Sequence, residues 1–220
     1  MKKVTIERRI LNENDLLAAQ LRSRFAAAGV LCLNLVSSPG SGKTSLLERT
    51  LERIADKLPL GVIEGDVQTD NDARRLARFD VPIHQIQTGG ACHLDARMIN
   101  RALEQRFDLS DLKLLFIENV GNLVCPSSYD LGEDMKVVLV STTEGDDKPQ
   151  KYPAMFARSG AMIINKIDLL PHVDFDIDTA IAHARVLSPD IRAFRLSCKT
   201  SEGLDAWCDW LLEAARGKSA

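Results

Sequence analysis

No stretch of this 220-residue chain approaches the roughly 18 consecutive apolar residues that a membrane span needs, so a transmembrane reading is excluded. The opening "MKKVTIERRILNEND" carries two lysines but no apolar core behind them, which excludes a secretory signal. An excess of positive charge is missing too. With a formal net charge of −3, nothing points to a nucleic-acid footprint. The five cysteines (32, 92, 125, 198 and 208) are odd in number and scattered, which argues against a disulfide framework and for a reducing, cytoplasmic setting. Internal repeats, low-complexity tracts and long linkers are absent as well. The length suits one sizeable domain better than two.

What is present is an alternation. "NENDLLAAQLRSRFAAAGV" reads as a helix with Asn14 as its N-cap and Gly29 as its stop. "VLCLNLVSS" is a nearly unbroken apolar run, as expected of a strand covered on both faces. Helical and strand-like segments then alternate: "KTSLLERTLERIADKL", "LGVIEGD", "DNDARRLARF", "PIHQIQ", "HLDARMINRALEQRF" and "LKLLFIENVGNL". "DMKVVLVSTTEG", "GAMIINKIDLL", "DIDTAIAHARVL", "IRAFRLSC" and "GLDAWCDWLLEAARG" complete the set. This pattern predicts an α/β fold, a mostly parallel sheet flanked by helices on both faces.

The first strand runs into "SSPGSGKTS", which fits the Walker A pattern at Gly42, Lys43 and Thr44, with Ser37 where the leading glycine usually stands. Such a loop turns successive backbone N–H groups toward phosphate oxygens at the positive end of a helix. Pro39, Gly40, Ser41, Gly42 and Ser45 would form the cradle, Lys43 would reach the β- and γ-phosphates, and the Thr44 hydroxyl would ligate Mg²⁺. The sequence therefore predicts a P-loop NTPase. The base is read from Asn165-Lys166-Ile167-Asp168, an N-K-x-D pattern after an apolar strand. A carboxylate at Asp168 can accept from both N1–H and the 2-amino group of guanine, and adenine offers no such pair. Asn165 would brace the loop, the Lys166 stem would lie along the base, and Ser197, Cys198 and Lys199 in "LSCKTSEG" would close over it.

Acids at strand ends are candidates for the magnesium shell: Asp66, Asp72 and Glu118, with Asp70 equally suited to capping a helix. "ENVG" at Glu118 to Gly121 is similar to the D-x-x-G of many GTPases, which would give Gly121 N–H to the γ-phosphate. No glutamine stands in the loop after Gly121 to orient water, so slow intrinsic hydrolysis is expected. Two readings remain for Cys92-His93 after the double glycine. They are a small buried thiol beside an idle histidine, or half of a metal site completed by Cys125, four residues past Gly121. Three such ligands would suit Zn²⁺ or Ni²⁺ in an open site.

Taken together, "SSPGSGKTSLLE", "EGDVQTDNDA", "QTGGACHLDA", "LLFIENVGNLVCPSSYDLGE", "TEGDDKPQKYP" and "INKIDLLP" closely resemble the HypB-type GTPases that help insert nickel into nickel–iron hydrogenase. The resemblance extends from about Leu16 to Trp210. It implies a nucleotide-dependent homodimer in which Lys151 contacts the γ-phosphate bound by the opposite subunit. It further implies a nickel or zinc site of Cys92, His93 and Cys125 contributed by both subunits, a second nickel accessory protein as partner, and the hydrogenase large-subunit precursor as target. Residues 1–15 are read as a segment for docking that partner and 16–216 as the GTPase domain. Residues 1–31 hold no Cys or His, so the N-terminal nickel site of some family members is not expected. Alternatives remain a nickel or zinc carrier whose GTP is structural, and an accessory GTPase for urease, although the Cys-Pro-His motif typical of the urease relatives is absent.

Overall fold

A computed structural model describes residues 2–66 and 75–218. The first helix, α1 (Lys2–Ala28), leads into β1 (Leu31–Ser37), the phosphate-loop region and α2 (Lys43–Ile54). Then come β2 (Leu60–Asp66), β3 (Ile83–Gln87), α3 (Ala96–Arg106), β4 (Leu114–Glu118) and β5 (Met135–Ser141). Two four-residue helices that the sequence pattern does not announce, α4 (Lys148–Lys151) and α5 (Pro153–Phe156), precede β6 (Ser159–Asn165). The chain continues through α6 (Ile177–Leu187) and β7 (Arg192–Arg195) to α7 (Leu204–Gly217). The first half of the helix expected over "DNDARRLARF", residues 70–74, falls outside the described residues, and with it Asp70 and Asp72.

All seven strands are parallel, in the order β3-β2-β4-β1-β5-β6-β7. Period-two alternation divides the core. Leu33 and Leu35 of β1 and Phe116 of β4 face α2 and α7, in a cluster that includes Leu47, Leu51 and Trp207. On the other face Cys32, Ile63, Leu115 and Ile117 pack against Leu21 and Phe25 of α1 and Ile99 and Leu103 of α3. Val138, Val140, Met162 and Ile164 pack on the same side against α5 and α6. Every strand therefore ends at one edge of the sheet, where open α/β folds bind ligands beside the reversal of strand order. Here that reversal is at β1, between β4 and β5.

Asn14 does not cap its own helix, because α1 already begins at Lys2. Its buried carboxamide serves another element. Nδ2 donates to the Asp130 carbonyl at 2.8 Å and Oδ1 accepts from Ala96 N–H at 2.9 Å. The second bond satisfies one of the orphan donors at the start of α3. Asn14→Ala leaves both backbone groups unpaired and is expected to destabilise the fold by about 1–3 kcal/mol. Urea denaturation measures this, and a change within about 0.5 kcal/mol would contradict the assignment.

Candidate nucleotide and metal sites

The phosphate loop owes its shape to two glycines. Gly40 has φ +76° and Gly42 φ +102°, both in the left-handed region. A Cβ on Gly42 would also lie 2.4 Å from Asn165 Nδ2, so the position excludes side chains twice over. No side chain caps α2, leaving the N–H groups of its first turn for an anion. Ser37 is an ordinary strand residue with no positive φ, and its hydroxyl accepts from Lys43 Nζ at 2.9 Å. A glycine is therefore not required there.

Around this loop lies a 460 Å³ cavity lined by Pro39, Gly40, Gly42, Lys43, Thr44, Ser45, Asp66, Arg75, Glu118, Val120 and Gly121. The Thr44 hydroxyl donates to Glu118 Oε1 at 2.8 Å, and Asp66 lines the same space. Hydroxyl and carboxylate oxygens converging beside a phosphate cradle form a donor set that fits Mg²⁺. A Cβ on Gly121 would lie 3.1 Å from Pro39 Cα, so this glycine brings the loop after β4 against the phosphate loop.

A second cavity of 540 Å³ continues from the first through Gly42, Ser45 and Arg75 to Asn165, Lys166, Asp168, Cys198 and Lys199. Asn165 Nδ2 donates to the Ser41 carbonyl at 2.9 Å, while its Oδ1 accepts from Lys166 N at 2.7 Å and Cys198 N at 3.2 Å. Lys166 takes a left-handed φ of +63°, and its ammonium reaches the Gly40 carbonyl at 2.8 Å. Asp168 Oδ1 accepts from Ser197 Oγ at 2.6 Å, and that Oγ in turn accepts from the Lys199 and Thr200 N–H groups. Burial pushes the Cys198 thiol up to about 11, so this thiol keeps its proton and helps wall the pocket.

Sequence reasoning missed a brace behind the phosphate loop. The Ser41 hydroxyl lies 2.5 Å from Glu144 Oε1, Ser141 N–H donates to the same oxygen at 3.1 Å, and Lys148 Nζ pairs with Oε2 at 3.0 Å. Lys148 Nζ also donates to Ser38 Oγ at 3.0 Å. Burial alone would raise the Glu144 pKa, but the hydrogen bonds from Ser41, Lys148 and Ser38 outweigh it and hold the carboxyl below its usual value. "TEGDDK" contained the signal, two opposite charges four residues apart straight after a strand. Lys151 lines neither cavity and is exposed, bridging to Asp147 Oδ2 at 2.6 Å.

Cys92, His93 and Cys125 do come together, with their ligand atoms all within 4.8 Å of one another. Cys92 Sγ lies 3.0 Å from Cys125 Sγ and 3.8 Å from His93 Nδ1. Asn122 Nδ2 fastens the two segments by donating to the Cys92 carbonyl at 3.2 Å. The His93 ring stacks on Tyr129 at 3.8 Å. The remaining thiols, Cys32, Cys198 and Cys208, are buried. Soft thiolate and imidazole donors on an exposed loop pair suit zinc or nickel.

Residues 31–195 match the model of the CobW/HypB/UreG nucleotide-binding domain. The chain belongs to this family. Within it, the chain is 54% identical over 216 residues to the hydrogenase maturation factor HypB of Azotobacter chroococcum mcd 1, covering 98% of this chain and 70% of the relative. It is 44% identical to the hydrogenase/urease maturation factor HypB of Helicobacter pylori, covering 98% of this chain and 89% of that one. The crystal structure of HypB from Helicobacter pylori in complex with nickel superposes with a TM-score of 0.87 at 42% identity, over 94% of this chain and 98% of the other. The HypB-type resemblance drawn from the motifs is thus borne out, and so is the P-loop α/β fold. No helix among the described residues is long and apolar enough to cross a membrane.

Two predictions follow from the geometry. Gly42→Ala meets both the positive φ and the Asn165 carboxamide, and roughly 1–3 kcal/mol of strain lowers guanine-nucleotide affinity on the order of 10- to 100-fold. Titration with a fluorescent GDP measures the loss, and unchanged affinity contradicts the clash. Metal binding should be proton-linked. The hydrogen bond with Cys125, and then burial, holds the Cys92 thiol above its ordinary value, whereas burial lowers that of His93. His93 is therefore neutral through the neutral range, and the thiol protons set the dependence. Apparent nickel affinity rises with pH between about 6 and 8, by up to about tenfold per unit for each thiol proton released. Competition titrations with a chelator of known pH behaviour test this, and a flat profile argues against thiolate ligation.

Proposed function

We propose that the protein is a GTP-hydrolysing nickel metallochaperone that assists metal insertion into hydrogenase. One observation carries the reading. The end of β4 and the loop that follows it supply Glu118 and Gly121 to the phosphate cavity and Cys125 to the thiol–imidazole cluster. A nucleotide can change metal affinity only if its two states order that loop differently, and the shared segment offers the means.

In this reading the N–H groups at the start of α2 and the Lys43 ammonium hold the β- and γ-phosphates, with Gly121 N–H on the γ-phosphate. Asp168 selects guanine, and Asn165 and Ser197 keep that carboxylate and its loop in place. Thr44, Glu118 and Asp66, with Asp72 from outside the described residues, would hold magnesium, which would supply charge neutralisation to the phosphates. No residue after Gly121 orients water as a glutamine would, so turnover by the isolated chain is slow. Lys151, exposed and lining neither of the chain's own cavities, acts in this reading on the nucleotide of a second copy in a homodimer. Nickel or zinc is cargo for Cys92, His93 and Cys125. The target is the hydrogenase large-subunit precursor, reached with a second nickel accessory protein that residues 1–15 would dock.

The relative from Helicobacter pylori named for both hydrogenase and urease keeps a urease role as a second reading. The purely structural-GTP carrier is separated from the main reading by turnover. Lys43→Ala is expected to reduce GTP hydrolysis at least ~100-fold and to abolish hydrogenase maturation with it. Phosphate release and hydrogenase activity in cells carrying the variant measure both, and maturation that persists without hydrolysis sinks the switch and favours the carrier.

A further inference from the structure

A buried polar circuit joins the two faces of the metal site through the middle of the sheet. Asn119, the residue after β4, is 1% exposed. Its Oδ1 accepts from Val120 N at 3.0 Å and from Leu94 N, next to His93, at 3.3 Å. Its Nδ2 donates to Oδ1 of Asn34 at 3.2 Å. Asn34 is fully buried in β1, between Leu33 and Leu35, and its own Nδ2 donates to Glu133 Oε1 at 3.1 Å. Glu133 pairs with the buried Lys136 ammonium and accepts from Leu131 N at 2.6 Å through its other oxygen. Lys136 Nζ donates to the Tyr129 carbonyl at 3.0 Å, and the Tyr129 ring stacks on His93. The circuit closes on the histidine from which it began.

A chain of polar groups through the central strand of an apolar sheet costs desolvation free energy, and it is tolerable only while each member keeps its partners. Such a network does not deform gradually; displacing one member breaks contacts on both sides of it. Asn119 is the member nearest the nucleotide. Val120 N, which it accepts, belongs to the residue before Gly121, and Gly121 lies against Pro39 of the phosphate loop. A γ-phosphate that draws Gly121 N–H inward shifts Val120 N, and with it the carboxamide that holds Leu94. The backbone carrying His93 then moves relative to Cys125.

We propose that Asn119 is the positioning residue that transmits nucleotide state to the metal cluster, with Asn34, Glu133 and Lys136 as the strut that makes the transmission two-state. This rests on the nucleotide-coupled metal reading above. Physical adjacency alone does not establish coupling, so the quantity that decides is a ratio. Nickel affinity of the full chain is measured with GDP and with a non-hydrolysable GTP analogue. The measurement is repeated for Asn119→Ala and for Asn122→Ala, which cuts the exposed link from the same loop to the Cys92 carbonyl.

Wild type is expected to show a ratio in the ordinary coupling range of about 5- to 150-fold between the two states. Asn119→Ala is expected to bring that ratio to within about twofold of one while GDP affinity is kept, and Asn122→Ala to retain most of the coupling. A merely structural asparagine would weaken nickel binding equally in both states and leave the ratio intact, which overturns the proposal. So does a ratio lost in Asn122→Ala and preserved in Asn119→Ala. A wild-type ratio of one defeats the underlying reading itself, a distinct result. Should Asn119→Ala not fold, Asn119→Asp keeps the shape and the acceptor oxygen but loses the donor to Asn34. It is expected to reduce the ratio in the same way, and an unchanged ratio in it is equally fatal.

Discussion

The carboxamide of Asn165 fixes where everything at the binding edge can be. Through Nδ2 it holds the Ser41 carbonyl, and through Oδ1 it gathers the N–H groups of Lys166 and Cys198. Three separate loops, after β1, β6 and β7, are thereby set against one buried planar group that is 1% exposed. The distance from phosphate to base in a nucleotide is fixed by covalent structure, so a protein that binds both ends must hold its loops at matching separation. A carboxamide does this well because its three hydrogen bonds lie in one plane and none can lengthen without leaving a buried group unpaired. Gly42 is the counterpart of that constraint, since any side chain there would occupy the space of Asn165 Nδ2.

The same device occurs a second time, at the end of β4. Asn119 stands just past the end of its strand where Asn165 is the last residue of one, and like it accepts from the N–H of its successor and from a loop that belongs to another strand. Its donor bond differs in kind. Asn165 reaches a backbone carbonyl, whereas Asn119 reaches a side chain inside the sheet, which leads on to the Glu133–Lys136 pair. One asparagine thus organises the guanine side of β1 and the other the metal side. Between them runs the loop from Glu118 to Cys125, which touches both. Gly121, packed against Pro39 of the phosphate loop, and the Cys125 thiol sit four residues apart, too close for one to move far without the other.

Much of this was legible in the sequence, and the division follows chain distance. The phosphate loop and the N-K-x-D segment are local constructions whose glycines, lysine and acid all act within a few residues of one another. The strands are legible because a doubly covered parallel strand is almost wholly apolar. From the residues alone, Cys92, His93 and Cys125 could be joined only as one of two readings, because the thiols stand 33 positions apart, and the resemblance was what favoured the metal site. Asn14 was misread as a local cap, since propensity says what a side chain can do and not which helix it will serve. Glu144, Glu133 and Asn34 went unnoticed for a related reason. Apart from the spacing of Glu144 and Lys148, these buried acids and this amide carry no periodic signal, and their partners stand anywhere from 3 to 103 residues away.

The distribution of thiols shows how one chain keeps hard and soft chemistry apart. Cys32 is fully buried and its pKa is raised well above the usual value, chiefly by burial, and burial holds Cys198 and Cys208 at about 11. Shut away from solvent as well, these three offer no entry to a hydrated cation. Only Cys92 and Cys125 have access to solvent, and neither lines the phosphate cavity, where oxygen donors gather. Oxygen donors, which suit a hard cation, and sulfur donors, which suit a soft one, are therefore kept in separate places, although the two share a loop. The soft site offers three donors among the described residues where a tetrahedral centre needs four. An incomplete shell leaves a position for an incoming ligand, and metal can then pass to another protein by exchange without first becoming free.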